Sequence, residues 1–210
     1  MTRDELLRMF CDDSENRPIF NHPFLQGGHT CATEGHAAIV LPIEDGDEAM
    51  YKPQEHPSVL PFLNKETESF MVIYRDECAA VYDGIEKGIS EIDPKCPDCK
   101  GEGVVEYSYE DTMGNYHSEY LECPICYGSG KVDMKHYYGK RKFQYQIEEK
   151  YALNFPQLKR IKSVMEYFDL DAVEFLKEKS KNGQPYHIIT DEFHMFLMPA
   201  LLNVDDDDDD

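Results

Sequence analysis

Tryptophan is missing from this 210-residue chain, and positive charge is scarce: 21 Lys and Arg stand against 42 Asp and Glu, giving a net charge of −21. A deficit of that size argues against a protein that simply coats nucleic acid or an anionic membrane. No apolar run approaches the ~20 residues that cross a bilayer, and the opening MTRDELLRMF lacks the long apolar core of a signal peptide. The expectation is a soluble, cytoplasmic protein with no membrane partner. G-x-G-x-x-G, P-loop, H-E-x-x-H and nucleophile-elbow patterns are also missing, so the chain is expected not to be an enzyme. The seven cysteines are an odd number, and four of them form two C-x-x-C pairs. That argues against a disulfide framework and for metal binding in a reducing compartment.

What is present makes a core: 41% of the chain is hydrophobic and 12% aromatic, all Tyr and Phe. The pattern reads as α+β, an antiparallel sheet with two amphipathic helices, divided as 1–93, 94–132, 133–204 and a solvated acidic tail 205–210. A helix is predicted over Thr2–Cys11, strand-like runs over Pro18–Leu25, His29–Leu41 and Phe70–Tyr82, and an acidic, Pro-rich loop over Glu44–Pro61. A second helix is predicted over Pro156–Phe168. There Leu158, Ile161, Val164, Met165 and Phe168 form one apolar stripe, Asn154 is placed to cap, and Pro156 sits in the first turn. A strand is expected over Lys142–Ile147 and an apolar strand-like stretch over Tyr186–Leu202. Asp171–Lys179 suits strand or helix.

Thr33–Pro42 aligns without gaps on Thr190–Pro199. These are either two edge strands that both end in proline, or copies of a duplicated helix–strand–strand unit with the 94–132 region spliced between them.

That spliced region holds Cys96-Pro97-Asp98-Cys99-Lys100-Gly101-Glu102-Gly103, matched by Cys123-Pro124-Ile125-Cys126-Tyr127-Gly128-Ser129-Gly130. Two thiolates at C-x-x-C spacing grip one ion from a tight turn, and two such turns complete a tetrahedron of sulfurs. Gly101, Gly103, Gly128 and Gly130 permit positive φ and let backbone amides approach the thiolates. Between the pairs, Val105, Tyr107 and Tyr109 alternate with Glu106, Ser108 and Glu110. Asp111–Asn115 then supplies a turn and Tyr116–Leu121 returns, which predicts a β-hairpin. The expectation is one structural Zn2+ held by Cys96, Cys99, Cys123 and Cys126, with Tyr107, Tyr109, Tyr116 and Tyr120 offered to a protein partner.

The doubled C-x-x-C-x-G-x-G motif resembles the cysteine-rich domain of DnaJ-type co-chaperones, which implies the four zinc ligands and, as an alternative function, a chaperone-type protein-binding module. Two other stretches resemble bacterial DNA polymerase sliding clamps. One is Tyr-Ala-Leu-Asn-Phe-Pro-Gln-Leu from Tyr151, running on to Phe-Leu-Met-Pro-Ala-Leu-Leu; the other is Ala32-Thr33-Glu34-Gly35-His36. That resemblance implies a clamp-like body of two similar helix-and-strand units, self-association into a ring, and DNA as a partner. Nine basic residues lie between Lys131 and Lys162 (Lys135, Lys140, Arg141, Lys142 and Lys150 among them), and Lys159, Arg160 and Lys162 fall on the polar side of the second helix. They would contact phosphate without reading sequence.

The remaining candidates are histidine constellations. His29, Cys31 and His36 suggest a second metal site or a Cys–His pair, but odd spacing along a strand puts Cys31 and His36 on opposite faces. His187, Asp191 and His194 invite a similar reading, and a cleft between His36 and His194 would serve an enzyme only if the two converge. Cys11 and Cys78 read as small core side chains. The function expected is a non-catalytic zinc-binding interaction protein, in its finer form a sliding-clamp-like accessory factor of DNA replication.

Overall fold

The computed structural model describes residues 1–12, 17–90, 95, 96, 98–131, 144–179 and 185–202. The acidic tail, the division points near 93 and 132, and Lys135, Lys140, Arg141 and Lys142 lie outside the described residues.

Helix α1 (Arg3–Arg8) opens on a capping box: Thr2 accepts from the Glu5 amide, and the Glu5 carboxylate accepts from the Thr2 amide. Strands β1 (Phe24–Gln26), β2 (His29–Thr33) and β3 (Ala37–Pro42) follow as an antiparallel meander. The expected single run over His29–Leu41 is therefore a hairpin, folded at Gly35, whose φ of +99° is left-handed territory that favours glycine. Helix α2 (Asp47–Met50) and strand β4 (Lys52–Pro53) punctuate the predicted loop.

Strand β5 (Thr67–Tyr74) then leads into helix α3 (Arg75–Ser90). This overturns the strand reading of Phe70–Tyr82 and the count of two amphipathic helices. The sequence period changes at Arg75, after which Cys78, Tyr82, Ile85 and Ile89 make a buried stripe at three- and four-residue spacing. The hairpin strands β6 (Val104–Glu110) and β7 (Tyr116–Glu122) follow, then β8 (Gln144–Gln146) and β9 (Tyr151–Asn154). Helix α4 (Phe155–Tyr167) starts as predicted, with Asn154 and Gln157 forming a second capping box and Pro156 in the first turn. Strands β10 (Ala172–Glu178), β11 (Tyr186–Ile189), β12 (His194–Leu197) and β13 (Ala200–Leu201) are the last elements among the described residues, and Asp171–Lys179 is resolved as strand.

Among the described residues eight strands form one sheet in the order β4-β1-β2-β3-β12-β11-β10-β5; β13-β9-β8 and β6-β7 form separate small sheets. The repeated segments are not edges. They are the central strands β3 and β12, paired antiparallel with Ala38 opposite Phe196 and Ile39 opposite Met195. Under the repeat, Ala38 and Ile39 correspond to Met195 and Phe196, so the two pairs exchange. Two helix-plus-three-strand units, α1-β1-β2-β3 and α4-β10-β11-β12, thus meet about a local two-fold at the centre of the sheet.

Alternation along the strands separates two cores. Ile39, Leu41, Ile188, Met195 and Leu197 pack against Leu6, Phe10, Tyr82, Ile161 and Met165 of the helices. The opposite face turns Ala38, Val40 and Phe196 under Val59, Phe62 and Leu63. Central strand β3 is buried on both faces, which is why it reads as an unbroken apolar run.

Asp47, 4% exposed, fastens this architecture. It receives bonds from Arg3 (3.0 Å), Thr30 (2.6 Å) and the Glu44 amide (3.1 Å). Burial acts to raise its carboxyl, and those partners outweigh it and hold the carboxyl below the ordinary value. Asp47→Ala leaves Arg3 without its buried partner and should cost about 3 kcal/mol in urea unfolding.

Candidate metal centre

Hairpin β6-β7 begins and ends on the two cysteine pairs. Cys96, Cys99, Cys123 and Cys126 are all buried, and their sulfurs lie within 4.8 Å of one another. Cys96 Sγ is 3.7 Å from Cys123 Sγ, and Cys99 Sγ is 3.7 Å from Cys126 Sγ. A tetrahedron with metal–sulfur bonds of about 2.3 Å has edges of about 3.8 Å, so the cage matches an ion site of four thiolates. Among the described residues it is the one group of three or more His, Cys, Asp or Glu side chains close enough to hold an ion.

The glycines of the two turns hold each other. A Cβ at Gly103 would fall 2.4 Å from the Gly128 oxygen, and one at Gly130 would fall 2.4 Å from the Gly101 oxygen; all four glycines have positive φ. Reciprocal backbone bonds close the arrangement, from the Cys96 amide to Gly130 O and from the Cys123 amide to Gly103 O, each 2.9 Å. The Gly103 amide donates to Cys99 Sγ at 3.2 Å. Burial acts to raise the Cys99 thiol, but the Gly103 and Gly101 amides, together with the neighbouring Cys126 and Cys96 sulfurs, outweigh it and lower it, which favours the thiolate that a metal requires. Gly103→Ala combines a strained φ with a backbone clash. It should weaken zinc about 10- to 100-fold in competition with a chromophoric chelator.

The hairpin register runs from Val104 opposite Glu122 to Glu110 opposite Tyr116. It splits the four expected tyrosines into two pairs. Tyr107 and Tyr109 share one face with Val105, His117, Glu119 and Leu121, whereas Tyr116 and Tyr120 share the other with Val104, Glu106, Glu110 and Glu122. All four are exposed, from 45% at Tyr107 to 80% at Tyr116. Asp111 builds the turn by accepting from the Met113 and Asn115 amides and contacting His117 at 2.9 Å. His117 first, then Asn115, hold its carboxyl well below the usual range.

Of the three cations expected to face nucleic acid, Lys159 is exposed. Arg160 is drawn inward, donating to Met9 O at 2.8 Å and pairing with Glu34 at 3.0 Å, and Lys162 reaches Glu166 at 2.8 Å. The helix face therefore spends two of its three cations on partners within the chain. Cys31 is buried in the sheet, its thiol pushed up to about 12 by desolvation, while His36 is exposed in the β2–β3 turn. Those two do not meet. His36 and His194 line different cavities, of about 150 and 310 Å3 respectively.

The sequence pairs His187 with His194 but names the wrong acid for the polar chain they form. His187 Nδ1 lies 3.0 Å from His194 Nε2, His187 Nε2 lies 3.4 Å from Glu178, and Glu178 lies 3.9 Å from Lys65. Asp191, the acid expected beside these histidines, is exposed, and Glu178 takes that place. The signal lay in period two: His187 and His194 face the same side of the sheet as Phe196.

No helix among the described residues is long and apolar enough to cross a membrane. No family model and no curated protein matches the chain. Among solved structures it is similar to the Caulobacter crescentus β sliding clamp (12% identity, TM-score 0.43, covering 93% of this chain and 62% of that one). It is also similar to the Helicobacter pylori β clamp bound to a DNA ligase peptide (9%, TM-score 0.46, 93% and 61%). A third similar structure is the DNA polymerase III β subunit of Thermotoga maritima (10%, TM-score 0.44, 97% and 62%). The chain spans under two thirds of the length of these clamps, and likenesses of this size carry no weight for function.

Proposed function

We propose that the chain is a non-catalytic interaction protein whose hairpin is kept in shape by one structural zinc ion. The observation that carries this is four buried cysteines converging at the base of a hairpin whose strands are otherwise almost wholly exposed. Four thiolates leave no open position for water or substrate, so the ion stabilises a fold and performs no reaction. An isolated two-stranded hairpin is marginal in water, and holding one in a rigid, tyrosine-rich form suits recognition of another protein. A DnaJ-type chaperone module is the variant in which that partner is an unfolded chain.

A second reading, a clamp-like accessory factor of DNA replication, is favoured by one feature. The two stretches that resemble sliding clamps converge: Thr33, Gly35 and His36 line the same apolar cavity as Phe196 and Met198. In that reading the body is one clamp-type domain, and rings form by self-association.

Native mass spectrometry of the purified protein tests both readings. One zinc per chain in a monomer or dimer supports the interaction protein. A closed ring of six brings the clamp reading forward, and a chain that carries no metal from a zinc-replete preparation overturns the first reading.

A further inference from the structure

Strand β6 has β7 on one side and, among the described residues, no strand on the other. Its backbone N–H and C=O groups on that side are therefore open to an added strand. Natural sheets commonly guard such an edge with lysine, but residues 104–122 contain no Lys or Arg and five acids: Glu106, Glu110, Asp111, Glu119 and Glu122. On β6 itself the register sorts the side chains cleanly. Glu106 and Glu110 project on one face, and Tyr107 and Tyr109 on the other.

These features select among occupants. A second copy of the hairpin would bring five acids against five, and nucleic acid or an anionic bilayer would meet the same repulsion. An apolar strand would satisfy the tyrosines and leave the glutamates without partners. A basic strand satisfies both faces, because alternate cations reach Glu106 and Glu110 while the other side chains cover Tyr107 and Tyr109, where Arg and Lys also gain cation–π attraction. We propose that the outer edge of β6 binds an extended, arginine- and lysine-rich segment of a partner protein, added as a third strand. This inference rests on the interaction-protein reading and specifies its partner.

The test uses the full, zinc-loaded chain and a labelled eleven-residue probe peptide that alternates arginine with valine. Salt is held at about 0.15 M, where a Debye length of about 8 Å screens the remote part of the −21 charge. The expected result is saturable binding with new amide protection over Val104–Glu110. Glu106→Lys with Glu110→Lys, both at exposed positions, should weaken the peptide about tenfold and create binding for a glutamate–valine peptide. Deleting Asp205–Asp210 should change affinity by less than about twofold.

Binding that survives the charge reversal, or that disappears with the tail, overturns the inference. So does duplex DNA protecting the same strand, or dimerisation through β6. A chain with one zinc and a protected hairpin that ignores the peptide sinks this inference alone, whereas a chain with neither zinc nor hairpin protection sinks the interaction-protein reading beneath it.

Discussion

Replacing Cys96 and Cys123 together with serine should release the metal and unfold residues 104–122, while the eight-stranded sheet stays folded. The expectation follows from where the apolar burial lies. Val105 is the one hairpin-strand residue packed on the cysteine cluster, and the remaining strand positions are exposed. Nothing of that size offsets the entropy of ordering about twenty residues, at about 1–2 kcal/mol of backbone entropy each. Zinc binding supplies about 10–16 kcal/mol in small zinc-folded peptides, which is the right scale to make the difference. The sheet, by contrast, has its own two cores. Hydrogen exchange is the measurement: hairpin amides should lose protection in the double variant and under chelator, while β3, β11 and β12 keep theirs. Cobalt(II) substitution should give the visible bands of a tetrahedral tetrathiolate in the native chain and none in the variant. Hairpin protection that persists without metal would show that the cage is not what folds it.

How much was legible in the sequence differs between the hairpin and the body, for a physical reason. The metal turns are local: ligand spacing, glycine placement and strand alternation all act within eight-residue stretches, and the cage forms from the four cysteines the spacing names. The capping box at Asn154 and the stripe of α4 are local too. Helix α3 was hidden because its apolar stripe follows directly on a strand with no Gly or Pro between them, so Phe70–Tyr82 scanned as one run. The repeat was visible as a line of residues, but its position at the centre of the sheet depends on pairing between strands about 150 residues apart. Arg160 shows the same limit. Its helical phase is polar, and only the tertiary arrangement reveals that Glu34 and Met9 O lie within its reach. The His187–His194–Glu178–Lys65 chain joins three strands and a loop, which no window along the sequence contains.

That buried chain sets the second large expectation, a loss of stability on mild acidification that belongs to two histidines. His187 is fully buried and His194 is 8% exposed. Desolvation first, and the neighbouring His187 second, bring His194 down from 6.5 to about 4; desolvation likewise lowers His187, against the pull of Glu178. A base whose folded pKa is depressed takes its proton more readily in the unfolded chain. Its contribution is intact above about 6.5 and is lost as pH falls from there toward about 4. For His194 alone the loss amounts to about 3 kcal/mol over that window. The groups facing the pair are Glu178 and, behind it, Lys65, and the rings also contact Phe196. A double variant, His187→Leu with His194→Phe, fills the site with apolar side chains and removes both titrations, and every carboxylate except Glu178 keeps its surroundings in both proteins. Urea unfolding at pH 6.5, 5.5 and 4.5 should show the wild type falling faster than the variant by about 2 kcal/mol or more across the series. Parallel lines would mean that the two rings titrate in the fold as they do in the unfolded chain, so that burial does not depress them.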